Sequence, residues 1–215
     1  ETDLLDDLVE KGLARQADSE NYDVHDLVRE FLTRSMEDSL SQSLHANAAE
    51  WYRVRKGNPS ESIEYIHHLH MSGDTEGLAE ALSEEGHSLV KAGHIELLGI
   101  LRVLEASLFG PRTRFVIHEL TGDILSIQGR WDEAEEQYDH ALPIAVKHKL
   151  TTPLARIYSS RADLAVKKGE MDNALSLHKK ALEMQIKLRD AQGAARSYNN
   201  MGYIFRRQRD NKRAI

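Results

Sequence analysis

The chain has 215 residues, a net charge of −7, 29% charged residues and only 6% aromatic residues. It contains no cysteine, which excludes a disulfide framework and a thiolate zinc centre, and no apolar run approaches the roughly 18 residues of a membrane-spanning helix. No signal-peptide pattern opens it, so the expectation is an all-α, soluble, cytoplasmic protein without a membrane partner. It begins Glu1-Thr2-Asp3 and ends Ala214-Ile215 where a further helix should be starting, and it reads as a piece of a larger protein.

Residues 1–36 form the first expected unit. Leu4, Leu5, Leu8 and Val9 make a helical stripe that stops at Gly12. Leu13 to Gln16 reads as a short strand, Asp18 to Asn21 as a turn, and Tyr22 to His25 as a returning strand. Asp26 is a good N-cap for a helix carrying Leu27, Val28, Phe31 and Leu32. This unit is acidic, with ten acids against four bases, whereas residues 179–215 hold ten bases against three acids. Such asymmetry bears on partners rather than on fold.

Residues 37–111 read as two irregular helical hairpins. One pairs a helix near 38–55 with one near 60–71, broken at Gly57-Asn58-Pro59; the other pairs about 75–92 with 94–107, broken at Gly93. His67 and His70 lie three apart, with Glu64 one turn earlier, and three such groups could hold a metal. No matching ligand pair occurs elsewhere, so the cluster is read as solvated or interhelical histidines and no metal site is assigned.

Residues 112–215 carry a repeat with a period of 40. Gly122, Leu125, Gly129, Trp131, Ala134, Tyr138 and Ala141 recur as Ala162, Ala165, Gly169, Met171, Ala174, His178 and Ala181, and a third copy runs from Gly202 through Phe205 to Ala214. Gly86, Leu89 and Gly93 keep the same order 36 residues earlier, as a decayed copy. Small residues at fixed spacing let helices approach, and large ones fill the space between them, which implies stacked helical pairs. Leu125, Trp131 and Tyr138 are expected to be buried. The architecture expected is over 60% helix, one hairpin near residues 13–25 and about five helical pairs.

The 40-residue pattern resembles the tetratricopeptide repeat, whose basic unit is 34 residues, so the helices or loops here should be longer. Residues 4–32 are similar to the winged-helix domain that follows the nucleotide-binding module in NB-ARC-type signal-transduction ATPases, the STAND class. Residues 43–52 and 61–82 resemble the helical region that follows in that class. The resemblance puts His25 at the His of the family's Met-His-Asp motif, with Val24 in place of Met; it implies a nucleotide-sensing role once an upstream domain holds ADP or ATP. No Gly-x-x-x-x-Gly-Lys-Ser/Thr loop occurs, so this piece is not expected to be an enzyme and carries no cofactor of its own.

Winged helices often bind DNA, but Asp3, Asp6, Asp7 and Glu10 oppose Lys11, and Asp18, Glu20 and Asp23 oppose Arg15, so phosphate repulsion argues against it. The first helix of each tetratricopeptide pair lines a concave surface. By register this wall holds Val116, Glu119, Asp123 and Ile127, then Arg156, Ser159, Asp163, Val166 and Lys167, then Arg196, Asn199, Tyr203, Arg206 and Arg207. Arg156, Lys167, Arg196, Asn199, Tyr203, Arg206 and Arg207 are the candidate partner-binding residues, suited to an acidic peptide or protein; equally, the arginines could serve solubility or pair with acids of a following repeat. The function expected is a sensor and regulatory module of a signal-transduction ATPase; the alternative is a free-standing scaffold or transcription regulator that binds a peptide.

Overall fold

A computed structural model describes residues 9–16, 22–24, 36–55 and 58–213. Gly12, with φ +69°, turns the chain out of a helical end at Val9-Glu10. Strands β1 (Ala14–Gln16) and β2 (Tyr22–Val24) then pair antiparallel, Ala14 opposite Val24 and Gln16 opposite Tyr22. His25 and the helix expected from Asp26 lie outside the described residues.

Beyond residue 36 every regular element among the described residues is helical. The order is α1 (Asp38–Arg53), α2 (Pro59–Ser72), α3 (Thr75–Lys91), α4 (Leu97–Val103), a short 3-10 turn (Ala106–Leu108), α5 (Pro111–Ile127), α6 (Trp131–Lys147), α7 (Thr151–Lys168), α8 (Met171–Lys187) and α9 (Ala191–Arg213). The chain is an all-α solenoid with antiparallel pairs α1/α2, α5/α6 and α7/α8, and α9 packed on α8. The hairpin expected from 75–92 and 94–107 does not form as a packed pair: α3 lies against α2 and α5, and α4, only 7 residues long, packs on α5 and α2 instead. The local reasons are visible in sequence. Pro59 and Pro111 each start a helix, where the missing N–H costs nothing. The Asn58 and Asp74 side chains accept hydrogen bonds from the Glu61 and Gly77 amides. Gly129 and Gly169, with φ +77° and +84°, close α5 and α7 in the left-handed conformation. Lys149 and Arg189, also 40 apart, take the same conformation without a glycine after α6 and α8.

The repeat is longer than 34 residues because its helices are longer. The helices α5 to α8 hold 17, 17, 18 and 17 residues, while the turns occupy only 128–130, 148–150 and 169–170. The core runs along the array from Tyr65, Ile66 and Leu69 through Leu97 and Leu101 to Phe115, Leu120 and Ile124 and on to Ile157 and Leu164. Helix α5 sits at its centre. Gly86 and Gly122 explain two of the close approaches. A Cβ at Gly86 would lie 2.4 Å from the Leu120 side chain, and one at Gly122 would lie 2.5 Å from the Tyr138 ring.

Tyr138 and Leu125 are buried as expected, but Trp131 is not: 39% of it is exposed. It is the first residue of α6. Helical side chains lean toward the N-terminus, so at this position the indole has no preceding turn to cover. The histidine cluster is interhelical. His68 of α2 stacks on Tyr52 of α1, and the His45 and His68 Nδ1 atoms share a hydrogen bond of 2.7 Å.

Candidate functional site

Alternate helices along the array turn one face to a concave cavity of about 540 Å3. Its wall draws on four such helices in succession, α3, α5, α7 and α9. Residues three or four apart on one helix share a face, so α5 contributes Glu119 and Asp123, α7 contributes Arg156, Ser160, Asp163 and Lys167, and α9 contributes Arg196 and Asn200. His87 of α3 stands 36 residues before Asp123, as Gly86 does before Gly122.

Glu119 is the hub at one end. Its side chain is 1% exposed, and Arg156 reaches it with two bonds, Nε at 3.1 Å and Nη2 at 2.7 Å. His87 Nε2 meets the same carboxylate at 2.8 Å. A buried carboxylate is tolerated only when paired in this way. One acid therefore ties α3, α5 and α7 together. Lys167 is held differently, donating to the Ser126 carbonyl at 3.1 Å and to its hydroxyl at 2.8 Å.

The middle of the cavity is acidic. The Tyr138 hydroxyl, from α6, donates to Asp123 at 2.7 Å. Burial, reinforced by the neighbouring Glu119 charge, pushes the Asp123 carboxyl up to about 6, against the hydrogen bonds of Tyr138 and Ser160 and the His87 charge. The same burial, with the Asp123 charge beside it, raises the Tyr138 hydroxyl. Asp163 accepts from Asn200 Nδ2 at 2.9 Å. Its carboxyl is raised too, by partial desolvation against the surrounding helices although 54% of the side chain remains exposed, and Lys167, the Asn200 bond and Arg196 oppose the shift. His178 of α8 lies below Asp163, with Nε2 3.4 Å from Oδ1. Its side chain is almost wholly buried, both ring nitrogens lack a hydrogen-bond partner, and burial lowers its basicity.

Of the seven candidate partner-binding residues, Arg156, Lys167 and Arg196 line this cavity. Asn199, Tyr203, Arg206 and Arg207 are exposed on α9 outside its wall, and Arg207 donates to the Tyr203 hydroxyl at 3.2 Å. Arg156 is not a free guanidinium, because Glu119 engages it. Val116 turns into the core, and Val166 packs against the small cluster formed with Ala174 and Ile204. His87, Tyr138, Ser160, His178 and Asn200 were missed by sequence reasoning. Tyr138 and His178 share a register position 40 apart, which carried the signal; Asn200 stands one residue beyond the position chosen, a turn of about 100°. Among the described residues no group of three or more acids and histidines could hold a metal ion, and no helix is long and apolar enough to cross a membrane.

Comparison with known proteins agrees with this geometry. The tetratricopeptide repeat family model matches residues 153–215, and the 40-residue register of those residues continues back through α5 and α6. No curated protein sequence matches the chain. Among solved structures, a STAND protein with a tetratricopeptide repeat sensor, PH0952 from Pyrococcus horikoshii, is similar over 95% of this chain, with a TM-score of 0.53 and 17% identity. The chain spans 36% of that protein's length. BtubC (BKLC) from P. vanneervenii is similar over 84% of this chain and 70% of its own, with a TM-score of 0.47 and 22% identity.

Proposed function

We propose that this chain is the ligand-binding sensor and regulatory segment of a STAND-type ATPase, and that it works by binding rather than by catalysis. One observation carries the reading: four alternate helices of a tetratricopeptide-like array, α3, α5, α7 and α9, present charged and polar side chains to a single cavity of about 540 Å3, within the ~300–1,000 Å3 typical of ligand pockets. The acidic hairpin unit at residues 1–36 is the winged-helix half-domain of the same assembly, with His25 sensing ADP or ATP on an upstream nucleotide-binding domain. Partner binding competes with the contacts that hold the winged helix on that domain, and release permits nucleotide exchange. Such a shift needs a ligand that prefers one of the two states. The partner is a protein or peptide, and its acidic part meets Arg196, Arg206 and Arg207, which are exposed along α9. The acids of residues 1–23 argue against DNA.

The test is binding of a labelled acidic peptide library to the wild-type chain and to Arg196→Glu/Arg206→Glu. Each lost charge contact should weaken binding by about tenfold or more, and added salt should weaken it further. Binding untouched by the double reversal sinks the acidic-segment reading.

A further inference from the structure

The acceptor-rich centre of the cavity has a consequence for what can bind there. Asp123 and Asp163 occupy the same register position on α5 and α7 and line one cavity. Among the described residues neither has a lysine or arginine within ion-pair distance. Their hydrogen-bond partners are neutral: Tyr138 and Ser160 for Asp123, and Asn200 for Asp163. The nearest bases are committed or peripheral. Arg156 is bonded to Glu119, Lys167 to Ser126, and Arg196 is exposed. His178 adds an independent sign. It lines the same cavity, is fully buried, and neither ring nitrogen has a hydrogen-bond partner.

A carboxylate offers about four acceptor positions, and a neutral imidazole offers one. The two aspartates and His178 therefore leave acceptors unfilled where few donors remain. Lysine ammonium and arginine guanidinium are the charged side chains that only donate, and charge-assisted bonds to carboxylates are the strong ones. Resting on the reading of the cavity as a partner-binding groove, we propose that Asp123 and Asp163, flanked by His178, form a subsite for one basic side chain of an extended peptide segment. A peptide suits the shape, since the wall crosses four helices spaced roughly 8–10 Å apart, farther than a small amine reaches. The ligand is thus bipartite: a lysine or arginine at the centre and acidic residues toward α9.

The test uses four labelled peptides of one length. Three differ only in a central arginine, lysine or norleucine; the fourth is acidic and has no basic residue. Binding to the 215-residue chain is followed by anisotropy, with a melting curve for each variant. The arginine and lysine peptides should bind about tenfold tighter than the norleucine peptide. Asp123→Asn and Asp163→Asn should each erase that preference, whereas Glu136→Gln, on the exposed side of α6, should keep it. Asp163→Asn retains the Tyr138–Asp123 bond and so remains informative if Asp123→Asn melts early. In the wild type the preference should shrink as pH falls through about 6, where Asp123 takes up a proton among His87, Glu119, Tyr138, Ser160 and Asp163. Equal binding of basic and norleucine peptides, or a preference intact in both Asn variants, overturns the subsite. Cadaverine competing as strongly as the lysine peptide overturns the peptide as its source. If the acidic peptide binds while basic residues bring no gain, the subsite alone falls; if no peptide binds, the groove reading falls with it.

Discussion

The pairs α5/α6 and α7/α8 are built on one register but solve the same contact with different chemistry. In the first, Gly122 leaves room for the Tyr138 ring, whose hydroxyl continues through to Asp123 at 2.7 Å. In the second, Ala162 fills that room, and the shorter His178 stops 3.4 Å from Asp163. Small and large residues have changed together: glycine with tyrosine, alanine with histidine. The difference shows that backbone spacing is what the repeat preserves, while the polar end of the packing residue is free to vary. It also leaves the second aspartate more open, with 54% of its side chain exposed.

The strongest way to break this comparison is Tyr138→Ala. It removes a ring that is 1% exposed and the hydrogen bond to Asp123 together. The expected loss is about 3–5 kcal/mol in urea unfolding, with hydrogen exchange rising first in α5 and α6 because repeats couple to their neighbours. An unchanged midpoint would contradict the packing. Trp131→Ala, partly exposed, should cost clearly less.

The pH dependence of stability separates the two aspartates next. Asp123 is pushed up to about 6 in the fold from an unfolded value near 3.9. Its contribution is therefore fully present below about pH 4 and is lost as pH rises through about 6. Wild type should lose up to about 3 kcal/mol over that interval from this group, and Asp123→Asn should lack that part of the slope. Asp163, raised in the same direction, leaves a smaller slope of the same sign. A slope identical in wild type and Asp123→Asn would show that Asp123 titrates normally.

The smallest effect sharpens the comparison most. His178→Tyr should destabilise on its own, because Ala162 has the Cβ that Gly122 lacks. Combined with Ala162→Gly it should recover, with a coupling of about 1–2 kcal/mol in a double-mutant cycle. Additive changes would mean that the two pairs do not share their geometry.

The array was legible in sequence because its signal is steric and periodic. Gly86, Gly122 and Gly129 each answer to a close approach or a left-handed turn, and such constraints recur as small or turn residues at the same register, as Ala162 and Gly169 do. The wall of the cavity was half legible. Arg156, Lys167 and Arg196 follow from register, but the pairing of Arg156 with Glu119 depends on two helices 37 residues apart turning toward each other, and spacing alone does not contain that. His178 was visible as a degenerate tyrosine; its burial without a hydrogen-bond partner was not, since that depends on where Asp163 ends. Trp131 misled because a large aromatic marks packing only when something lies over it.

The buried Glu119 bears on how long such a protein can be. Its partner Arg156 has a counterpart one period later in Arg196. A chain lacking 151–190 would join α6 directly to α9, bring Arg196 to Glu119, and leave Gly122 and Tyr138 undisturbed. Whole 40-residue modules can thus be lost or gained at this seam without stranding a charge, whereas an out-of-step deletion between α5 and α9 would leave the buried carboxylate with His87 alone, at a cost of up to about 3–5 kcal/mol. The ion pair acts as a ruler that admits change in array length only by complete units.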